Sequence, residues 1–516
     1  MTRASAGVLV ALALTVAIGL RAARLDERPM HHDEANQAIK FGDLLERGDY
    51  RYDYRDHHGP TLYYLTLPSA WLGGRHTLAS LDEVTLRRVP VVFGAATILL
   101  LPFLSVGIGR TATAAAAVLM ALSPAMVFYS RMFIQEALFA CFALAFVIAV
   151  GRIATAGGRA WWIVAGAAAG LAAATKETSA IVLPAAVLAC AAAQWSRGSA
   201  PPRPALTDGR WRASALTSLA VALLIAAIFY TSFFAQPSAI LEPFRGAGTY
   251  LARGVGPAAH AHPWHYYVQL LAYSSSGGST WSEGLVLGLA VVGAATGWRQ
   301  RDGSCVDAAF WTQYLACYIV IAGGTLSLIP YKTPWNLLPF YVVAFALAGS
   351  GFAALVEMPR SRVMRGAVAL ALTIASLQLG RQAWRAAVTY AADPRNPYVY
   401  AQTVPDAVRM ATRIRDLAAL HPDGARMRVS AIAPPDQQWP LPWYLRSMPN
   451  VGYWMTPDDP AALQAPVLVS SLEYTAALDE AYGDRYVSQF YGLRPDVLQA
   501  LYVERGLWDR FLAQAK

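Results

Sequence analysis

Residues 7–35 read GVLVALALTVAIGLRAARLDERPMHHDEA. An uncharged run from Gly7 to Leu20, opened by Arg3, gives way to a polar stretch that ends in the carboxylate pair Asp33-Glu34. With its flanks the run gives a span at 6–24, the length of a membrane helix. Arg3 ahead of an apolar run also suits a signal peptide, but no small-residue cleavage site precedes Asp26 and further spans follow, so this segment reads as an uncleaved first helix. Asp33 and Glu34 then stand at the lipid–water boundary, where a carboxylate can meet a lipid-borne and a water-borne substrate together.

The rest of the chain fits that start. Of 516 residues, 56% are hydrophobic and 15% charged, which excludes an ordinary soluble protein. The net charge of +9 does not come from basic residues interleaved with aromatics, so no nucleic-acid partner is expected. The four cysteines show no CxxC spacing, which argues against a disulfide framework or a zinc site. Apolar runs predict about eleven spans, at 6–24, 88–108, 111–129, 134–151, 161–175, 178–195, 214–234, 284–298, 308–329, 335–357 and 364–383. With a cytoplasmic N-terminus, the inner loops hold thirteen arginines and four acids, the positive-inside pattern; Arg21, Arg24 and Arg28 run against it. Loops 25–87 and 235–283 and the tail then lie outside, with all nine histidines and all four lysines. The expected fold is an α-helical polytopic membrane domain (1–385) followed by an extracytoplasmic α/β domain (386–516), in the plasma (inner) membrane. The tail reads as helix 403–420, strand 426–434, a Trp/Pro-rich segment 439–445, strand 465–471 and helices 474–482 and 495–513.

Six outward constellations are candidates for chemistry. Asp33 and Glu34 open an amphipathic stretch, 32–48, although Asp33 could simply cap that helix. His57-His58-Gly59-Pro60 leads into Tyr63; such a loop could hold a headgroup or be a solvated turn. Arg131 and Glu136 end consecutive spans and could touch substrate or staple the bundle. Lys176 stands at an outer hairpin, where snorkelling is the plainer account. In Tyr331-Lys332-Thr333-Pro334-Trp335 the helix is broken by proline beside a cation that suits a phosphate. His260, His262 and His265 fit no standard metal spacing, but their aromatic loop suits a sugar face or a membrane surface.

The runs His-Asp-Glu-Ala (32–35), Gly-Pro-Thr-Leu-Tyr-Tyr (59–64), Arg-Val-Pro (88–90), Ala-Leu-Ser-Pro (121–124), Ser-Arg-Met (130–132), Gly-Leu-Ala-Ala-Ala-Thr-Lys (170–176) and Tyr-Lys-Thr-Pro-Trp (331–335) together resemble the GT-C class of glycosyltransferases. Within it they are similar to the branch of protein O-mannosyltransferases and the lipid A aminoarabinose transferase. Tyr-Lys-Thr-Pro-Trp and Trp-Pro-Leu-Pro-Trp-Tyr-Leu-Arg (439–446) resemble most a flippase-activity-associated subfamily linked to archaeal-type N-glycosylation. The resemblance implies a polyprenyl-phosphate-linked sugar donor, transfer with inversion, and an unidentified glycan, lipid or protein acceptor. It implies a catalytic pair of Asp33, as general base, and Glu34. Lys332, Arg131, His57 and His58 would meet the donor phosphate, though relatives often have lysine near His58. His32, Tyr63, Lys176, Tyr331, Trp335, His262 and His265 would meet sugar or acceptor. Distant members use a divalent metal, for which Glu34, His32 and His58 could supply ligands. A non-catalytic partner of lipid-linked sugar translocation is the alternative. A secondary transporter is disfavoured, because no paired broken helices mark an inverted repeat.

Overall fold

The computed structural model describes residues 1–48, 50–55, 58–196, 211–246, 248, 260–299, 306–358 and 361–514. His57 and the loop arginines Arg197, Arg203, Arg210, Arg301 and Arg360 lie outside the described residues. Among those described, seven helices are long and apolar enough to cross a membrane: Arg3–Ala22 (α1), Glu83–Ile108, Glu136–Thr155, Trp211–Tyr230, Asp307–Leu328, Pro334–Glu357 and Arg362–Thr389. Four shorter apolar helices, Arg110–Leu122, Arg159–Ala173, Ser179–Trp195 and Gly284–Trp298, fill the remaining predicted positions.

Glu136–Thr155 is the central post, buried almost throughout. Trp211–Tyr230 is the opposite case, with Leu216, Leu219, Leu223 and Leu224 all exposed, as a helix facing lipid requires. Small residues allow the closest contacts. A Cβ on Gly293 would lie 2.0 Å from the carbonyl oxygen of Leu347, and one on Gly351 the same distance from that of Leu289. Two helices therefore touch backbone to backbone.

Between α1 and the next span lie two non-spanning helices, His32–Arg47 (α2) and Thr61–Leu72 (α3). A short antiparallel hairpin, Ser274–Ser276 (β1) with Ser279–Trp281 (β2), precedes Gly284–Arg299. The tail holds a helix, Pro405–Leu420, and a five-stranded sheet of Val429–Ile432 (β3), Val451–Trp454 (β4), Val467–Ser471 (β5), Tyr486–Arg494 (β6) and Val497–Glu504 (β7). The strand order is β4-β3-β5-β7-β6; β3 runs parallel to both its neighbours, and β7 antiparallel to β5 and β6. The expected helix 495–513 is corrected: Val497–Glu504 is a strand and only Arg505–Gln514 is helical. Asp496, at φ +64°, makes the tight turn that folds β7 back on β6, and Leu501, Tyr502 and Val503 are buried in that strand.

Candidate active site

The site is built around the start of α2. His31 caps the helix: its Nδ1 accepts from the Asp33 N–H (3.0 Å), and Glu34 accepts from the His31 N–H (3.0 Å). Because Nδ1 is an acceptor, the ring proton is on Nε2, which donates to the Tyr400 carbonyl (2.9 Å).

Glu34 is fully buried and saturated. It accepts from Arg28 Nη2 (3.1 Å to each oxygen), Arg87 Nε and Nη2 (2.8 and 2.9 Å) and the Phe133 N–H (2.8 Å). Arg87 also donates to the carbonyls of Leu25 (2.5 Å), Arg28 (2.8 Å) and Pro29 (3.3 Å). Burial alone would raise the Glu34 pKa; the two guanidinium groups outweigh it and hold the carboxyl at about 2. The expectation of a catalytic or metal-binding Glu34 is therefore corrected, because its lone pairs are already used. It fixes α2 in place.

Asp33 is the contrast. Its side chain is 43% exposed, and its nearest partner is the His31 ring nitrogen at 3.7 Å, which carries no proton to give. His260 and Tyr400 face it electrostatically. Burial lowers the His260 pKa, while burial, then Tyr331 and Asp33, raise that of Tyr400 to about 12. The two side chains are hydrogen bonded to each other. Trp335 closes the group, 5.6 Å from the His31 ring and 5.9 Å from Tyr400, with Tyr331 against His260 at 5.2 Å.

Lys332 reaches the same cluster from the proline-broken loop. Segment 260–262 pairs with 330–332: the Lys332 N–H donates to the His260 carbonyl (3.0 Å), and the His262 N–H to that of Pro330 (3.1 Å). The buried Nζ donates to the carbonyls of Ile329 (2.6 Å) and His262 (2.8 Å). Two of three ammonium protons are so placed, and the third is available. His262 stacks on Tyr266 at 4.2 Å, whereas His265 is exposed at the rim.

Arg131 does something else. Its guanidinium donates to the carbonyls of Leu20 (3.1 Å), Arg21 (2.9 Å) and Arg24 (3.2 Å), closing the C-terminal end of α1. Burial and then Arg28 and Arg87 lower its pKa to about 9. The expected phosphate contact is corrected to a helix cap. His58 is likewise engaged, its Nδ1 donating to Glu177 Oε2 (2.8 Å). Burial opposes both charges, but their pairing prevails, raising the His58 pKa and lowering that of Glu177. Lys176 bonds Glu136 and Asn336 Oδ1, the latter at 2.7 Å. Tyr63 is buried and gives its hydroxyl to Gln37. Gly59 permits the docking of this loop: a Cβ there would sit 2.1 Å from the Ala174 carbonyl oxygen.

The tail completes the site. Trp443 Nε1 donates to Glu83 (2.8 Å), Arg446 to the Leu81 carbonyl (2.5 Å), and the Met30 N–H to the Tyr444 hydroxyl (2.7 Å). His32 turns to this unit, 5.8 Å from Trp439. Glu34, His32 and His58 thus have separate partners. Among the described residues no three His, Cys, Asp or Glu side chains gather as a metal site.

Arg28, Arg87, Tyr400 and Glu283 were missed by the sequence reading. Glu283, fully buried, accepts from Ser123 (2.6 Å), the Ala125 N–H (2.7 Å), Tyr341 (2.5 Å) and Tyr398 (2.9 Å), joining four segments. Its signal was a lone acid at the head of an apolar run.

Residues 69–206 match the family of dolichyl-phosphate-mannose-protein mannosyltransferases. No curated protein matches the chain by sequence. Solved structures do match its shape. ArnT from Cupriavidus metallidurans, bound to undecaprenyl phosphate, is similar over 98% of this chain and 99% of its own, with TM-score 0.62 and 16% identity. The Archaeoglobus fulgidus oligosaccharyltransferase, tethered to an acceptor peptide, is similar over 95% and 74%, with TM-score 0.61 and 11% identity. The Saccharomyces cerevisiae protein O-mannosyltransferase Pmt1-Pmt2 complex bound to its sugar donor is similar over 80% and 92%, with TM-score 0.58 and 11% identity.

The chain has the GT-C fold. Within that GT-C frame, Asp33 stands on the loop between the first two spans, and Lys332 on the loop between Asp307–Leu328 and Pro334–Glu357.

Proposed function

We propose that this GT-C-fold chain is a membrane glycosyltransferase that moves a sugar from a polyprenyl-phosphate carrier to an acceptor on the extracytoplasmic face. The observation that carries this reading is the open Asp33 carboxylate beside the saturated Glu34. One acid is free for chemistry, and its neighbour holds the helix that presents it. The similarity to undecaprenyl-phosphate-bound ArnT and to the donor-bound mannosyltransferase supports the choice of donor.

In this mechanism Asp33 takes the proton of the acceptor hydroxyl as its oxygen attacks the anomeric carbon. Attack comes from the face opposite the phosphate, so the configuration inverts. The bond from the anomeric carbon to the phosphate oxygen breaks, and its electron pair leaves with polyprenyl phosphate. The third Lys332 proton stabilises that phosphate, held in place by the two carbonyl bonds of the ammonium. The His31, His260, Tyr400 and Trp335 rings offer faces and edges for sugar or acceptor. The orientation is N-terminus cytoplasmic with the tail outside, in the plasma membrane, as the loop arginines favour.

The test uses the purified protein and its Asp33→Asn form, each with a labelled polyprenyl-phosphate-sugar pool and an acceptor extract from the native membrane. Release of polyprenyl phosphate by the first and not the second is expected. Binding without release by either form would favour the translocation-partner reading.

A further inference from the structure

Lys176 lies between Arg159–Ala173 and Ser179–Trp195 and is 5% exposed. Its ammonium donates to Glu136, the first residue of the central post, and to Asn336 Oδ1 (2.7 Å). Asn336 belongs to the single turn Pro334–Leu337, which closes the loop that carries Lys332. Its side chain is also hydrogen bonded to Tyr267, on the short helix Tyr266–Ala272. Tyr266 in turn stacks on His262. Asn336 thus ties together the two segments of the Lys332 cradle, whose carbonyls come from Ile329 on one and His262 on the other.

The two lysines are held in different ways. Lys332 bonds neutral carbonyls and keeps its charge for an anion, whereas Lys176 is neutralised by the Glu136 carboxylate. A buried ion pair is a poor source of stability, because apolar side chains of similar volume often do as well or better. Ionisable groups buried in a membrane bundle are costly and are kept for a task. What an apolar side chain at position 176 could not supply is the bond to Asn336.

We infer that Lys176 is a positioning residue: through Asn336 it sets the loop that aims Lys332, and so acts on the donor phosphate without touching it. The inference rests on the reading above that Lys332 meets that phosphate. With the bond made, the Lys332 ammonium is presented at one place. Without it, Lys332 keeps its charge, but its loop relaxes and the third proton is misplaced. A loss of this kind needs Lys332. Where Lys332 is already gone, freeing its loop takes nothing more from the phosphate.

A double-mutant cycle on the full chain in nanodiscs tests this, with labelled polyprenyl phosphate as the probe. Asn336→Ala cuts the link and leaves the Lys176–Glu136 pair in place; it should weaken carrier binding about tenfold. Lys332→Ala should weaken it about tenfold or more, and the variant carrying both changes no further than Lys332→Ala alone. Should Asn336→Ala fail to fold, Lys176→Met with Glu136→Leu, which removes both buried charges together, reads the same quantity. Equal losses from Asn336→Ala with and without Lys332 overturn the inference, and so does parent-like affinity in Asn336→Ala; either result leaves the Lys332 phosphate reading standing. A Lys332→Ala chain that binds the carrier as tightly as the parent overturns that reading and the inference with it.

Discussion

Glu34→Gln separates the two neighbouring carboxylates by stability rather than by activity. Glu34 is buried against Arg28, Arg87 and two backbone N–H groups. A carboxyl held at about 2 rather than its ordinary 4.5 contributes about 3 kcal/mol to folding at neutral pH. The sign follows from the depressed value: the contribution is fully present above the ordinary carboxyl range and fades as pH falls towards 2. Glutamine forfeits it, and its NH2 group turns two protons towards donors that already point inward. Removing one partner of a buried ion pair costs about 3–5 kcal/mol, so that range is the expectation. Denaturant or thermal unfolding of the two forms in the same detergent, followed by tryptophan fluorescence, measures it. The acid-side loss of stability should also flatten in the variant. A Glu34→Gln protein as stable as the parent, yet without turnover, would refute the structural role and return Glu34 to the chemistry.

Further outcomes are expected elsewhere in the site. Lys332→Ala should weaken donor binding about tenfold or more, read by titration with labelled carrier; unchanged affinity removes Lys332 from the phosphate site. The His58–Glu177 pair contributes stability that is complete below the ordinary histidine pKa of 6.5 and is lost as pH rises through the raised His58 value. Unfolding measured from about pH 6 to 9 should therefore show a decline in the parent that Glu177→Gln lacks; parallel profiles would contradict the pairing. Gly59→Ala forces a Cβ against the Ala174 carbonyl and should destabilise by about 1–3 kcal/mol, seen as earlier unfolding; wild-type stability would mean the loop is not docked as described.

The membrane architecture was legible because lipid imposes it locally. A span must be apolar over its own length, so each of the eleven predicted positions carries a helix. Asp33 was legible as a candidate from its place after the first span. The role of Glu34 was not, because it depends on Arg87 and Phe133, which are 53 and 99 residues away. Arg131 misled for the same reason: a guanidinium that caps α1 and one that holds a phosphate look alike in a sequence. Strand β7 was read as helix because Leu498, Leu501 and Tyr502 also suit a helical period. What separates the two is the reversal at Asp496 and the pairing partner, neither of which the apolar pattern contains.

The docking of the tail beside Asp33 has a bearing on biosynthesis. His31 gives its ring proton to Tyr400, 369 residues later, and the Met30 N–H finds its acceptor on Tyr444, 414 residues later. Residues of the loop after α1 are thus given their final geometry by residues synthesised long after them. A nascent chain already threaded through its spans still has an unfinished α2 cap, and closing a loop of that length comes late in folding. Translation order thus delays the site: the start of α2 reaches its final geometry only after Tyr400 and Tyr444 have been made.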